Sequence, residues 1–246
     1  MRLDKLISEC GIASRSEVAR AVRSGGVTVN GKAVGRADHK VEPERDQVVY
    51  CGTPVRYRKF VYLMLHKPDG YISATEDGRG DPVVTDLLAA EYRKIGVFPC
   101  GRLDKHTTGL MLLTNDGVLS HRLLSPKRHV TKSYAFRVKF PLSEQDLRLL
   151  EAGVDIGGYI TKPCRVTLSQ PTEGVIAITE GKYHQIKLMM EAVHNQITRL
   201  ERLTFGPLSM DPALSPGEWR ELTEGEIAAL EAVFHDQTQK GTDTTT

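Results

Sequence analysis

Apolar and polar positions near the start of the chain repeat at the spacing of two short helices, within residues 2–24. The apolar stripe of the first helix consists of Leu3, Leu6 and Ile7. Gly11 ends that helix, and Ser14 then lies three residues before Glu17, which is the spacing of a capping box. The apolar face of the second helix consists of Val18, Ala21 and Val22. The pattern therefore predicts a pair of amphipathic helices.

A β-hairpin is predicted directly after the second helix. Residues 27–34 alternate as two short strands do, and the Asn30-Gly31 pair between them is a strong signal for a hairpin turn. Residues 51–59 contain a glycine and a proline and are interpreted as a linker. We therefore place a small first domain at residues 1–57.

From residue 60 to about residue 230, predicted strands outnumber predicted helices. We expect strands at residues 60–65, 111–114, 133–140 and 174–180. We expect helices at residues 83–90, 144–152 and 185–194, and an Asn-Asp-Gly turn at residues 115–117. The two kinds of element do not alternate as in a parallel α/β domain, so we predict an α+β domain with an antiparallel-rich sheet at residues 58–232. Residues 233–246 are polar and are expected to form a disordered tail.

The composition indicates a soluble protein with a substantial core. Of 246 residues, 40% are hydrophobic, yet no apolar run approaches the roughly 18 residues that cross a bilayer. The first residues lack the apolar segment of a signal peptide, so we expect a cytoplasmic protein with no membrane partner. The cysteines are Cys10, Cys51, Cys100 and Cys164. They lie far apart with no matching histidine spacing, so neither a metal site nor a disulfide framework is expected.

Charge is unevenly distributed along the chain. Residues 1–59 hold 12 Lys and Arg against 7 Asp and Glu, a net charge of +5, whereas residues 60–246 carry −3. A small basic unit attached to a mildly acidic body suggests a module that binds a polyanion. An ordinary fluctuation of charge in a short segment is the alternative.

Three segments of this basic unit resemble an S4 RNA-binding domain. They are Arg-Leu-Asp-Lys-Leu (residues 2–6), Ser-Arg-Ser-Glu-Val (14–18) and Gly-Gly-Val-Thr-Val-Asn-Gly-Lys (25–32). The resemblance implies that the basic face of the helix pair contacts RNA phosphates, which positions a protein without reading sequence. The implied contacts are Arg2, Lys5, Arg15, Arg20, Arg23 and Lys32. For any one of them, a solvated surface charge is the alternative.

The most informative stretch is Gly-Arg-Leu-Asp-Lys-His-Thr-Thr-Gly-Leu, residues 101–110. Asp104 lies on a short loop before an apolar strand, where neighbouring groups can hold a carboxylate rigidly and keep it ionised. Such a carboxylate suits a nucleophile or a base.

This stretch and others in the same order resemble the RsuA branch of the pseudouridine synthases. The other segments are Leu-His-Lys-Pro-Asp-Gly (65–70), Ser-His-Arg (120–122), Ser-Pro (125–126), Lys-Ser-Tyr (132–134), Glu-Gly-Lys-Tyr-His-Gln-Ile-Lys (180–187), Gly-Pro-Leu (206–208) and Pro-Gly-Glu-Trp-Arg (216–220). Together with the S4 resemblance, they cover nearly the whole chain.

The resemblance implies an enzyme that breaks the bond between ribose C1′ and uracil N1 and joins C1′ to C5. The reaction has no net redox change, so no cofactor is expected. Asp104 matches the catalytic aspartate, Lys187 its basic partner, and Tyr134 the tyrosine that stacks on the target uracil. Arg102 matches an arginine that binds phosphate or holds the flipped strand open. His184 is interpreted as a structural hydrogen-bonding residue.

Each of these residues also has a plainer interpretation. Taken singly, Asp104 could cap a helix or turn, Tyr134 could belong to the core, and Lys187 or Arg102 could be surface charges.

The resulting hypothesis is a monomeric synthase that modifies small-subunit (16S) ribosomal RNA, either free or in an assembling small subunit. A large-subunit target is one alternative, and a non-catalytic RNA-binding or ribosome-assembly protein is the other.

Overall fold

The computed structural model of the protein describes residues 1–125 and 128–233. It divides into two units. One contains residues 1–61 and 88–98, and the other contains residues 62–87 and the described residues from 99 onward. The predicted tail beyond residue 233 lies outside the described residues, as does Pro126 of the Ser-Pro motif.

The first unit begins with the predicted helix pair, α1 (Leu3–Glu9) and α2 (Arg15–Arg23). The predicted capping box is confirmed, because Ser14 Oγ accepts from the Glu17 amide and the Glu17 carboxylate accepts from the Ser14 amide. The apolar stripes of both helices are buried together with Val27 and Val48, which forms the core of this unit. Helix α3 (Ala90–Lys94) also belongs to it.

A four-stranded antiparallel sheet completes the first unit, in the order β2-β1-β3-β4. The strands are β1 (Val27–Val29), β2 (Lys32–Ala33), β3 (Val48–Tyr50) and β4 (Thr53–Val55). The hairpin at Asn30-Gly31 is confirmed, and both residues adopt the positive φ that its turn requires.

The interpretation of residues 51–59 as a linker is wrong for residues 53–55, which form β4. The turn before it uses a positive φ at Cys51, a residue type that gives little turn signal. Pro54 then lies on an edge strand, where the missing amide hydrogen is tolerated.

The second unit is built on a larger mixed sheet. Its seven main strands run in the order β13-β5-β7-β11-β8-β10-β9, with β12 paired to β11. From β5 onward the strands are β5 (Tyr62–Lys67), β6 (Phe98–Pro99), β7 (Thr108–Thr114), β8 (Lys132–Val138), β9 (Arg165–Gln170), β10 (Glu173–Ile178), β11 (Ile197–Phe205), β12 (Leu208–Ser209) and β13 (Trp219–Glu221). Strands β7 and β11 are parallel and the other pairs in this order are antiparallel, so the predicted antiparallel-rich α+β fold is confirmed.

The helices of this unit are α4 (Gly117–Leu124), α5 (Glu144–Ala152), α6 (Gln185–Ala192) and α7 (Glu224–Ala232). Helix α5 has the predicted bounds, and α6 ends two residues earlier than predicted. Helix α4 was not predicted. Asp116 caps it by accepting from the amides of Val118 and Leu119, each at 3.0 Å, so the expected turn is instead a helix start.

The helix predicted at residues 83–90 is wrong. A short 3₁₀ helix, Val84–Leu87, lies there, and Ala89 is extended before α3 begins. The β-branched run at residues 83–85 disfavours a regular helix, and the Asp86 carboxylate accepts from the Val83 amide in a local turn.

Strands β5 and β7 form the centre of the larger core. Leu63 to Leu65 and Leu110 to Leu113 are all fully buried. No helix within the described ranges is long and apolar enough to cross a membrane.

Candidate active site

The loop that carries Asp104 is held in place by the buried side chain of Lys67. The Lys67 ammonium donates to the backbone carbonyls of Pro68 at 3.1 Å, Lys105 at 3.0 Å and Thr107 at 2.9 Å. All three of its hydrogens therefore have acceptors in the backbone. Burial lowers the pKa of Lys67 to about 8, despite the opposing effect of nearby carboxylates.

A second hydrogen-bonded pair fixes the same loop. Ser73 Oγ donates to the Leu103 carbonyl at 2.7 Å and accepts from the Leu103 amide at 3.0 Å. Leu103 directly precedes Asp104, and Lys105 directly follows it. The bonds from Ser73 and Lys67 therefore restrain the backbone on both sides of Asp104.

Both carboxylate oxygens of Asp104 face nitrogen atoms from α6 and the residue before it. Lys187 Nζ lies 2.8 Å from Oδ2, and His184 Nε2 lies 3.5 Å from Oδ1. The side chains of Asp104 and Lys187 are each 27% exposed, so the ion pair is largely shielded from water. The structure thus brings together two of the predicted residues, and it places His184 beside them.

The turn into α6 is organised around the buried side chain of Glu180. Its carboxylate accepts from Tyr159 Oη at 2.6 Å, the Lys162 amide at 2.9 Å and Gln185 Nε2 at 2.8 Å. Burial opposes the charge of Glu180, but these hydrogen bonds outweigh it and lower the pKa of the carboxyl. His184 takes a left-handed conformation at the helix start, which sets the direction of α6 and so the position of Lys187.

Tyr134 lies on β8, directly opposite Arg202 of β11. Directly opposed residues on antiparallel strands project from the same face of a sheet, so the two side chains are neighbours. Tyr134 is 7% exposed, and its hydroxyl makes no hydrogen bond within residues 1–125 and 128–233.

These groups surround one cavity of about 500 Å³, a size typical of small-molecule sites. Asp104, Tyr134, Lys187 and Arg102 all line it, although Arg102 is exposed and the others are more buried. The four candidate residues of the larger domain therefore converge on a single site.

Several cationic residues of this cavity were not predicted from the sequence. They are Lys132, Lys162, Lys182 and Arg202. Burial lowers the pKa of Lys132 to about 8, and the positive charge of Arg202 acts in the same direction. Lys132 and Lys182 belonged to recognised motifs, whereas Arg202 lies in an ordinary strand pattern of polar and apolar residues that gives no indication of a site.

The six basic residues predicted to contact RNA lie in the first unit and are all exposed. Arg2 pairs with Asp4 at 2.7 Å, and Lys5 lies 3.6 Å from Glu9. The others, Arg15, Arg20, Arg23 and Lys32, form no ion pair with the described residues.

Comparison with known proteins gives consistent matches across the chain. The RNA pseudouridylate synthase family matches residues 61–192, and the S4 domain matches residues 1–48. The chain is 50% identical over 235 residues to the Bacillus subtilis (strain 168) protein named uncharacterized RNA pseudouridine synthase YtzG, covering 94% of this chain and 98% of that protein. It is 39% identical over 233 residues to ribosomal small subunit pseudouridine synthase A of Escherichia coli K12, covering 94% and 100%.

A solved structure supports the same assignment. The crystal structure of a pseudouridylate synthase matches with a TM-score of 0.66 and 33% identity, covering 94% of this chain and 99% of the other. Domain matches, full-length relatives and fold agree, and the chain belongs to the RNA pseudouridylate synthase family, with an S4 domain at its N-terminal end.

Proposed function

We propose that this RNA pseudouridine synthase isomerises a uridine of small-subunit ribosomal RNA, either free or in an assembling small subunit. The 39% identity to a synthase named for the small ribosomal subunit, over that protein's full length, supports this choice of substrate. We also propose that the enzyme is a monomer and works in the cytoplasm.

The observation that carries the proposed mechanism is the Asp104–Lys187 ion pair inside the cavity. The carboxylate attacks ribose C1′ or removes a ribose proton, and either role requires it to be ionised. The Lys187 ammonium 2.8 Å away pairs with the carboxylate and fixes its direction. Lys67 and Ser73 contribute indirectly, because they hold the loop on which Asp104 lies.

Tyr134 provides the face on which the flipped uracil stacks. A base must leave its helix to reach a carboxylate inside the cavity, and an aromatic ring compensates for the stacking that it loses. Its position in the cavity, with a hydroxyl that has no partner in the described structure, leaves the ring and the hydroxyl available to the base. Arg102, at the exposed edge of the cavity, suits a contact with a phosphate of the flipped strand.

The S4 domain holds the RNA through phosphate contacts. Its six exposed cations supply positive charge for contacts with the phosphate backbone, and such contacts position the substrate without reading its sequence. Family membership favours an enzyme over a protein that only binds RNA.

The substrate is tested with ribosomal RNA that carries tritium at uridine C5, because isomerisation releases this tritium to water. The wild-type protein is added to free small-subunit RNA, to assembling small subunits and to free large-subunit RNA. We expect release from a small-subunit form and none from large-subunit RNA. Release from large-subunit RNA alone would contradict the proposed target, and release from none would contradict the proposed activity.

A further inference from the structure

Arg202 is a buried cation without a carboxylate partner. It is 2% exposed, and it forms no ion pair with any residue in the described part of the chain. Its Nε donates to the Leu110 carbonyl at 2.6 Å, and one terminal nitrogen, Nη2, lies 3.9 Å from the Met111 sulfur. The other terminal nitrogen, Nη1, has no acceptor among the described residues.

Arg202 lines the cavity of the proposed active site together with the proposed stacking tyrosine. Arg202 and Tyr134 are directly opposed across β11 and β8, and both line the cavity that contains Asp104. The Phe205 ring packs near the guanidinium, with its centroid 5.0 Å from Cζ. The Leu110 carbonyl thus holds the Nε end of the guanidinium, and Arg202 lines the same cavity as Tyr134, its neighbour across the strand pair.

Burying a cation away from water is costly when no carboxylate pairs with it. Two carboxylates line the cavity, and both are already used: Asp104 pairs with Lys187, and Glu180 accepts three hydrogen bonds. Thr107 also lines the cavity, and its buried Oγ1 has no hydrogen-bond partner within the described ranges. The inner part of the cavity thus presents polar groups that the protein itself leaves unsatisfied.

The reaction creates a negative charge at this place. When the C1′–N1 bond breaks, its electron pair leaves with uracil, and the charge spreads from N1 to O2 and O4. After the base rotates, C5 bonds to C1′ while the Asp104–C1′ ester bond breaks or, in the second role, the removed proton returns to the ribose. C5 then loses its proton, and N1 takes up a proton. Both roles considered for Asp104, attack at C1′ and removal of a ribose proton, expel the base as this anion.

We infer that Arg202 is a catalytic residue that donates a hydrogen bond to a carbonyl oxygen of the flipped uracil and stabilises the negative charge of the detached base. This role rests on the proposed function. A fixed donor directed at a developing charge typically contributes about 10²–10³-fold to a rate. A phosphate is a less suitable partner, because Arg202 is buried next to the stacking ring, whereas Arg102 is exposed at the cavity edge.

The test combines a change in the residue with a change in the substrate atom. RNA is assembled by ligation so that only the mapped target uridine carries sulfur in place of O2 or O4, since sulfur is a weak hydrogen-bond acceptor. Single-turnover conversion to the C5-linked product is measured for the wild type, Arg202→Gln and the control Arg137→Gln. Arg137 lies on β8 as Tyr134 does, but it is exposed and pairs with Glu173.

We expect sulfur at one of the two positions to slow the wild type and the control by about tenfold or more. Arg202→Gln should convert the oxygen substrate about 10²-fold more slowly and show no further loss with sulfur at that position. Thermal melting checks that the variant is folded.

Equal sulfur effects in the wild type and Arg202→Gln would overturn the role of Arg202. The absence of a sulfur effect in the wild type would also overturn this role. That result does not depend on whether the variant folds. Failure of the wild type to convert the oxygen substrate would instead contradict the proposed function, and the role of Arg202 would fall with it.

Discussion

Gly109 of β7 lies directly against the backbone of Arg202 in β11, so that a Cβ atom on Gly109 would collide with the Arg202 carbonyl oxygen. The contact occurs where the parallel strands β7 and β11 pair. Since β7 begins just after the loop of Asp104, this approach of two backbones sets the position of the loop relative to Arg202. Gly109 also has φ = +98°, a conformation that other residues rarely adopt.

Replacing Gly109 with alanine should therefore lower the free energy of unfolding by about 3 kcal/mol, through overpacking and backbone strain. Urea unfolding measures the change. Gly117→Ala is the matched control, because a Cβ there meets no atom within 4 Å and the residue lies in the first turn of α4. The control should leave stability unchanged or raise it by up to about 1 kcal/mol. Similar losses in both variants would show that the contact with Arg202 is not the cause.

Lys67→Met should destabilise the protein and reduce the rate of isomerisation. Methionine cannot donate to the carbonyls of Pro68, Lys105 and Thr107, and the loss of these hydrogen bonds should lower the free energy of unfolding by about 2–3 kcal/mol. RNA affinity should stay close to that of the wild type, since the side chain is fully buried. Urea unfolding, RNA binding and tritium release measure the three effects.

The exposed Lys139→Met is the control for this substitution and should change stability by less than about 0.5 kcal/mol. A Lys67→Met protein with wild-type stability and activity would refute the role of Lys67 in holding the loop.

The free energy of unfolding should depend on Glu226 at acidic pH. Its hydrogen bonds with Arg220 lower its pKa from 4.5 to about 2, so the folded state favours the carboxylate. The resulting stabilisation is present above pH 4.5 and is lost as the pH falls toward 2. Because both side chains are partly exposed, we expect on the order of 2 kcal/mol.

Urea unfolding between pH 5 and about pH 2 measures this dependence. Glu226→Gln should be less stable at pH 5 and lose less stability on acidification than the wild type. Glu224→Gln, in the first turn of the same helix, should keep the wild-type pH dependence. If Glu226→Gln also keeps the wild-type pH dependence, the ion pair with Arg220 does not cause that dependence.

The double substitution Arg15→Ala and Arg20→Ala should weaken RNA binding and its dependence on salt. Each lost phosphate contact reduces the magnitude of the slope of log affinity against log salt concentration by about 0.7–0.9, so two contacts reduce it by about 1.5. Binding of small-subunit RNA across a salt series measures the slope. Arg36→Ala, an exposed residue of the same unit that pairs with Asp38, is the comparison variant. An unchanged slope in the double variant would mean that neither arginine contacts phosphate.

Local chemistry allowed part of the fold to be predicted from the sequence. Helix α5, the capping box at Ser14 and the Asn30-Gly31 hairpin depend on residues a few positions apart, and all three were confirmed. Helix α4 was missed because Asp116 caps a helix where Asn-Asp-Gly suggested a turn. Turns and helix N-termini favour the same residue types, so the Asn-Asp-Gly sequence alone could not distinguish a turn from a helix start.

The candidate site shows the same limit. Motif order led to Asp104, Tyr134 and Lys187, and the structure places all three at one cavity. The contacts of Lys67 and Arg202 were not predicted, because they join distant parts of the chain. Lys67 bonds to a carbonyl 40 positions later, and Arg202 bonds to one 92 positions earlier. A lysine or arginine in a strand pattern indicates exposure, and only the folded sheet shows that these two are buried.

Asp104→Asn tests whether the Asp104 carboxylate carries out the proposed isomerisation. Asparagine keeps the shape of the side chain and removes its charge. Tritium release from C5-labelled small-subunit RNA and the affinity for that RNA are measured together, with the exposed Asp155→Asn as the control. We predict that Asp104→Asn abolishes release and retains RNA affinity, while the control behaves as the wild type does. Release at the wild-type rate by Asp104→Asn, or loss of RNA binding in parallel with loss of release, would contradict the catalytic role of Asp104.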